Sequence, residues 1–246
     1  MIQDQIQIVA AFFACIIPSV VTFLTWSLTY DALVILTALA LIYTIIPLIH
    51  NSFIYNLRWE FSFGPDLTNW KKNIPTFITA IVGGCLISTL LWAFIYFVSL
   101  FKLEVEIYPF PQLVMGVFKV LYWGLVFVLG VLVVPVLEDL FFRSYIGKVG
   151  GIGQLLAIVS YVVLHHIKFQ FVYPEETWFI ILIDLAFLLA AIFLHVFSEI
   201  SVFFSSGFSI GMALSWFIRI ILFWNNPKAL PQPMLFFLHH YQNVWN

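Results

Sequence analysis

Charge is what this sequence has least of: 10 Lys and Arg and 12 Asp and Glu among 246 residues, or 9%. Soluble domains carry about 25% charged residues, so this chain cannot coat a water-facing globule. A soluble enzyme and a disordered chain are both excluded. A net charge of -2, with no basic patch to neutralise phosphates, excludes a nucleic-acid partner. Cysteine is scarce as well. Cys15 and Cys85 both fall inside apolar runs, which rules out a disulfide framework or a cysteine metal centre. The first five residues, Met1-Ile2-Gln3-Asp4-Gln5, hold no Lys or Arg. They lack the basic head of a signal peptide, so the apolar run after them is expected to stay in the mature protein. Internal repeats and the alternating pattern of a membrane barrel are absent too.

What fills the sequence instead is apolar: 63% hydrophobic residues, 28 Phe, 10 Tyr and 9 Trp, with a mean hydropathy of +1.06. A hydrocarbon core of about 30 Å takes about 20 apolar residues per helix. By that measure, spans fall at 6–28, with Pro18 as a bend, and at 32–49, the two joined in a hairpin by Thr29-Tyr30-Asp31. The stretch 50–75 mixes Arg58, Glu60, Asp66, Lys71 and Lys72 with Phe, Trp and Tyr, the composition of an interfacial segment. A third span, 76–101, carries Gly83-Gly84, a pair suited to a close helix crossing.

Residues 111–148 are too long for one upright crossing and contain Lys119 and Pro135. They read as an interfacial lead-in and a span over 122–148, closed by a turn at Gly150-Gly151-Ile152-Gly153. Further spans follow at 154–173, 178–197 and 209–224, and a Pro/Asn-rich linker over 225–233 leads to the short apolar segment 234–246. The expectation is an all-α, polytopic bundle of about seven to eight membrane helices, forming one integral-membrane domain over 1–246. Within it, 1–110 supplies hydrophobic spans and the interfacial segment, and 111–246 the motif-bearing core. With the N-terminus in the cytoplasm, inside loops hold Arg58, Lys71, Lys72, Arg143 and Lys148, against Lys102, Lys168, Arg219 and Lys228 outside, a small bias for that orientation.

Ionisable groups at membrane depth are costly and point to function. Glu138, Asp139 and Arg143 form the densest cluster, in Pro135-Val136-Leu137-Glu138-Asp139-Leu140-Phe141-Phe142-Arg143. Asp139 and Arg143, spaced i and i+4, share a helix face and can pair. On α-helical geometry Glu138 lies about 140° round from Arg143, outside that pair and placed to act as a base. Tyr161 and His165 share a face in one later span, beside His166, and His239 and Asn243 share one in the last segment, beside His240. His195 and Glu199 are spaced to pair, with Asp184 farther along the same helix.

Taken in order, Glu138-Asp139-x-x-x-Arg143, Tyr161-x-x-x-His165 and His239-x-x-x-Asn243 resemble the CAAX-protease and bacteriocin-processing family of intramembrane proteases. The resemblance spans 135–243. It departs from the family pattern at Asp139, where the family has a second Glu, and at Tyr161, where it has Phe.

The resemblance implies an intramembrane endopeptidase. Glu138 would activate water with help from His165, His239 and Asn243 would donate to the oxyanion, and Asp139 and Arg143 would serve structure. The substrate would be a lipid-modified, for example prenylated, or otherwise hydrophobic peptide or protein, met among membrane lipids. No cofactor is required on this reading. A metal-dependent alternative places zinc on Glu138, His165 and His239, although the His-x-x-x-His helix motif of zincins is missing. Two other readings are a proton- or ion-coupled transporter and an inactive interaction or immunity protein.

Overall fold

The computed structural model describes residues 2–29, 32–53, 70–100, 117–170 and 177–222. All regular structure among them is helical. Helix α1 is Ile2–Thr29, α2 Ala32–Phe53 and α3 Trp70–Leu100. A continuous helical rod covers 117–149. It comprises α4 (Val117–Phe127), a π-helical stretch (Val128–Val133), α5 (Val134–Asp139), a second π-helical stretch (Leu140–Ile146) and a 3-10 turn (Gly147–Val149). Then come α6 (Gly151–Gln170), α7 (Thr177–Ile200) and α8 (Val202–Leu222).

Among the described residues, three helices are long and apolar enough to cross a membrane: Gln5–Thr25, Lys71–Leu91 and Val120–Arg143. Four shorter apolar helices accompany them: Leu33–Ile49, Gly151–His166, Asp184–Ser198 and Val202–Ser215. The distribution of side chains agrees. Phe13, Leu28, Leu90, Val120 and Leu155 point outward, each at least 60% exposed, while Thr22, Ser88, Glu138, Asp139, Arg143, Ser205 and Ser206 are buried. Such a surface is stable in hydrocarbon and would aggregate in water. The chain is a membrane protein. Hydroxyls on the helices are satisfied locally, Thr22 donating to the Pro18 carbonyl and Thr79 to that of Pro75, both at 2.8 Å.

The rod is the hub. Its lower half, 128–149, packs on α1, α2, α6, α7 and α8, and these helices also pack on one another as α1 on α6, α6 on α7 and α7 on α8. Pro135 explains the first π-helical stretch. Proline has no N–H and crowds the carbonyl one turn back, so the chain widens before it, and Val134 N–H reaches Leu129 O, five residues earlier. The glycine turn differs from expectation. Gly150 alone breaks the helix, at φ 82°, a conformation that favours glycine, while Gly151 and Gly153 are already in α6. Gly153 is small because a Cβ there would strike the Ile146 carbonyl. Helix α8 begins at Val202, not at the expected 209, which brings two serines into the bundle.

Helix α3 packs most extensively on α8, through a seam of small residues. A Cβ on Gly84 would collide with the Phe208 carbonyl, and one on Gly211 with the Ile81 carbonyl. Cys85 Sγ donates to Gly211 O at 3.1 Å across the same seam. Without a hydrophobic drive between helices in lipid, such close van der Waals contact supplies the attraction. Gly211→Val should therefore lower the unfolding free energy in detergent by about 1–3 kcal/mol. Gly124→Ala, with open space around its Cβ, should leave the melting temperature unchanged or raise it. Equal losses would contradict the seam.

Candidate functional site: a buried carboxylate pair beside a histidine stack

Glu138 and Asp139 end α5, and successive helical positions, about 100° apart, send them to different partners. Asp139 is 1% exposed and fully engaged. Arg143 Nη1 donates to Oδ1 at 2.6 Å, and the hydroxyls of Ser205 and Ser206 on α8 donate to Oδ2 at 2.6 and 3.0 Å. A buried ion pair is tolerable only when its remaining lone pairs are filled, and the two serines do that. The Arg143 guanidinium also lies 5.5 Å from the centroid of the Tyr161 ring, a cation–π contact.

Glu138 turns towards α2, where the wholly buried Tyr43 donates its hydroxyl to Oε2 at 3.3 Å. That is longer than a tight hydroxyl–carboxylate bond. The second π-helical stretch modifies the angular picture drawn from an ideal α-helix. Its wider turns bring positions i and i+5 closer in azimuth, so 138 and 143 are less opposed than 100° steps imply. Arg143 nevertheless keeps its ion pair with Asp139.

From Tyr43 a continuous run of rings leads to His165. Tyr43 meets Phe142 at 6.0 Å between centroids, Phe142 meets Tyr161 at 6.4 Å, and Tyr161 meets His165 at 4.2 Å. Phe187 of α7 also stacks on His165, at 4.3 Å, and meets Tyr161 edge-on at 6.3 Å. Tyr161 lies within electrostatic reach of Glu138, Asp139 and Arg143. His165 Nδ1 sits 2.8 Å from the Tyr161 carbonyl. A carbonyl only accepts, so Nδ1 carries the hydrogen and, in the neutral ring, Nε2 carries the lone pair.

His166, the next residue, faces elsewhere: its Nδ1 is 2.6 Å from Asp184 Oδ2 on α7, in a half-buried pair. The expected pairing of His195 with Glu199 rests on a Glu199 side chain outside those described.

Glu138, Asp139, Arg143, Tyr161 and His165 thus lie in one connected cluster. His239, His240 and Asn243 fall outside the described residues, as does most of the interfacial segment, 54–69. Among the described residues no three His, Cys, Asp or Glu side chains are grouped to hold a metal ion. His239, the third member of the suggested zinc set, is not among them. Tyr43, Ser205, Ser206 and the His166–Asp184 pairing were not anticipated. The available signals were the single tyrosine inside the apolar run 32–49 and the small polar step Ser205-Ser206-Gly207. Compared with protein-family models, curated proteins and solved structures, the chain matches none.

The serines give the most direct check on the Asp139 network. Removing a hydroxyl from a buried charged acceptor costs about 1–3 kcal/mol, so Ser205→Ala and Ser206→Ala should each lower stability in detergent by that order. Ser198→Ala is the control, since Ser198 bonds only the His195 carbonyl of its own helix among the described residues. If all three melt alike, the serines do not hold Asp139.

Proposed function

We propose that the protein is an intramembrane endopeptidase of the CAAX type, in which Glu138 activates water for attack on a peptide bond. One observation carries this reading most. A buried glutamate, adjacent to the Asp139–Arg143 pair, stands at one end of a ring cluster whose other end is His165, oriented by the bond from its Nδ1 to the Tyr161 carbonyl. Asp139 balances the charge of Arg143, and Glu138 takes a neutral phenol as its partner in α2. A carboxylate in that setting suits proton abstraction better than one held by a guanidinium.

The chemistry follows in two proton movements. Glu138 takes a proton as the water oxygen bonds to the substrate carbonyl carbon, and then returns it to the departing amine as the C–N bond breaks. His165 Nε2 is the second group for the water. His239 and Asn243, by the resemblance, donate to the oxyanion. The substrate class is a lipid-modified or hydrophobic peptide entering from the bilayer. On this reading the helices form a multi-pass bundle of seven to eight spans with a cytoplasmic N-terminus, and no metal is needed.

A proton- or ion-coupled transporter is the second reading, favoured by the His166–Asp184 pair between α6 and α7. Carboxylate–histidine pairs at membrane depth are common on ion pathways.

Cleavage of a prenylated reporter peptide by purified protein in proteoliposomes separates the two. Glu138→Gln keeps the shape and removes the base, so kcat should fall by about 10²–10⁴-fold with KM little changed. His165→Ala should be far more damaging than His166→Ala. Cleavage indifferent to Glu138→Gln overturns the mechanism. Absence of cleavage by the parent, with pH-dependent uptake altered by Glu138→Gln, establishes transport instead.

A further inference from the structure

A small cavity lies between α6, α7 and the rod, on the Tyr161 side of Arg143. Its polar walls are Arg143, Tyr161 and His195, and Phe142, Ala157 and Ala191 supply most of the rest. It has room for about one water molecule and is too small for a carboxylate or phosphate. The space exists because Ala157 and Ala191, buried at 3% and 2% exposure, are the smallest side chains that could face it from α6 and α7.

The guanidinium beside this space has donors to place. Arginine carries five N–H groups in a planar fork and accepts none, and Asp139 takes one at 2.6 Å from Nη1. The side chain is 4% exposed, so bulk solvent does not serve the others. The Tyr161 ring offers its face rather than a lone pair. A water placed in the cavity would accept from the guanidinium and bond a nitrogen of the His195 ring, and buried waters are stable where a roomy polar site offers such partners.

We propose that a bound water bridges Arg143 to His195, making His195 the positioning residue through which α7 holds the buried ion pair. The same water fixes the plane of the guanidinium, and with it the direction in which Asp139 is held. This inference does not depend on the peptidase reading. It assigns His195 a role whether the protein hydrolyses, transports or only binds.

Arginine side-chain NMR in micelles tests it, because the chain has only Arg58, Arg143 and Arg219. With ¹⁵N-labelled guanidinium groups, the Arg143 signals are assigned by their loss in Arg143→Lys. The parent should show a through-space cross-peak from Arg143 to water. That peak should survive His195→Gln, which keeps a hydrogen-bonding side chain. It should be lost in His195→Phe, which fills similar volume without a ring nitrogen, and in Ala191→Val, which fills the cavity and leaves His195 in place. The Arg58 and Arg219 signals should be unchanged in every variant. No water contact at Arg143 in the parent overturns the proposal, as does a contact that persists in either His195→Phe or Ala191→Val. If His195→Phe does not fold, the parent and Ala191→Val decide alone.

Discussion

A carboxylate that is 1% exposed inside a membrane protein must be neutralised, and the rest of this bundle is arranged around doing so for Asp139. Moving an unpaired charge from water into such a site costs several kcal/mol even after relaxation. Arg143 supplies the opposite charge from the same rod, one turn on, and Ser205 and Ser206 supply hydroxyls from α8. That pairing sets the register of α8 on the rod. It also brings α8 to α3, whose glycine seam allows close approach without further polar contacts being required. Arg143, held from one side, lies against Tyr161 and so fixes where α6 sits.

Adjacent residues divide the work. Glu138 faces α2 and Asp139 faces α8; His165 stacks on Tyr161 and Phe187, and His166 pairs with Asp184. In each doublet one member is bound into an ion pair between charged or chargeable groups, and the other meets a different helix face: Glu138 takes the Tyr43 phenol, and His165 bonds the Tyr161 carbonyl and stacks on rings. A helix makes this separation without any loop, since neighbours are about 100° apart. Glu138 and His165 are joined through the ring run from Tyr43 to Tyr161.

The membrane character and the all-helical class were legible from composition and run length, because lipid permits few alternatives. Asp139 with Arg143, and Tyr161 with His165, were legible from i, i+4 spacing, since both pairs lie within one helical segment. Contacts between helices were not. Tyr43 with Glu138 is separated by 95 positions, and Ser205 with Asp139 by 66, and hydropathy says nothing about which faces meet. The late placement of the α8 start concealed the serines: a run of Phe and Ser scores as a boundary, while packing on Asp139 makes it helix. The two π-helical stretches were equally hidden, although Pro135 was a cue that the hydrogen-bond pattern must change near the carboxylates.

The most direct measurement of this account is a double-mutant cycle on Asp139 and Arg143, read by reversible unfolding in detergent. Removing either partner alone leaves a buried charge without its opposite, so Asp139→Ala and Arg143→Ala should each lose about 3–5 kcal/mol. Removing both takes away charge and counter-charge together, so the double variant should recover much of that loss and give a coupling energy of about 1 kcal/mol or more. If the two single losses simply add in the double variant, the ion pair is not what organises the bundle.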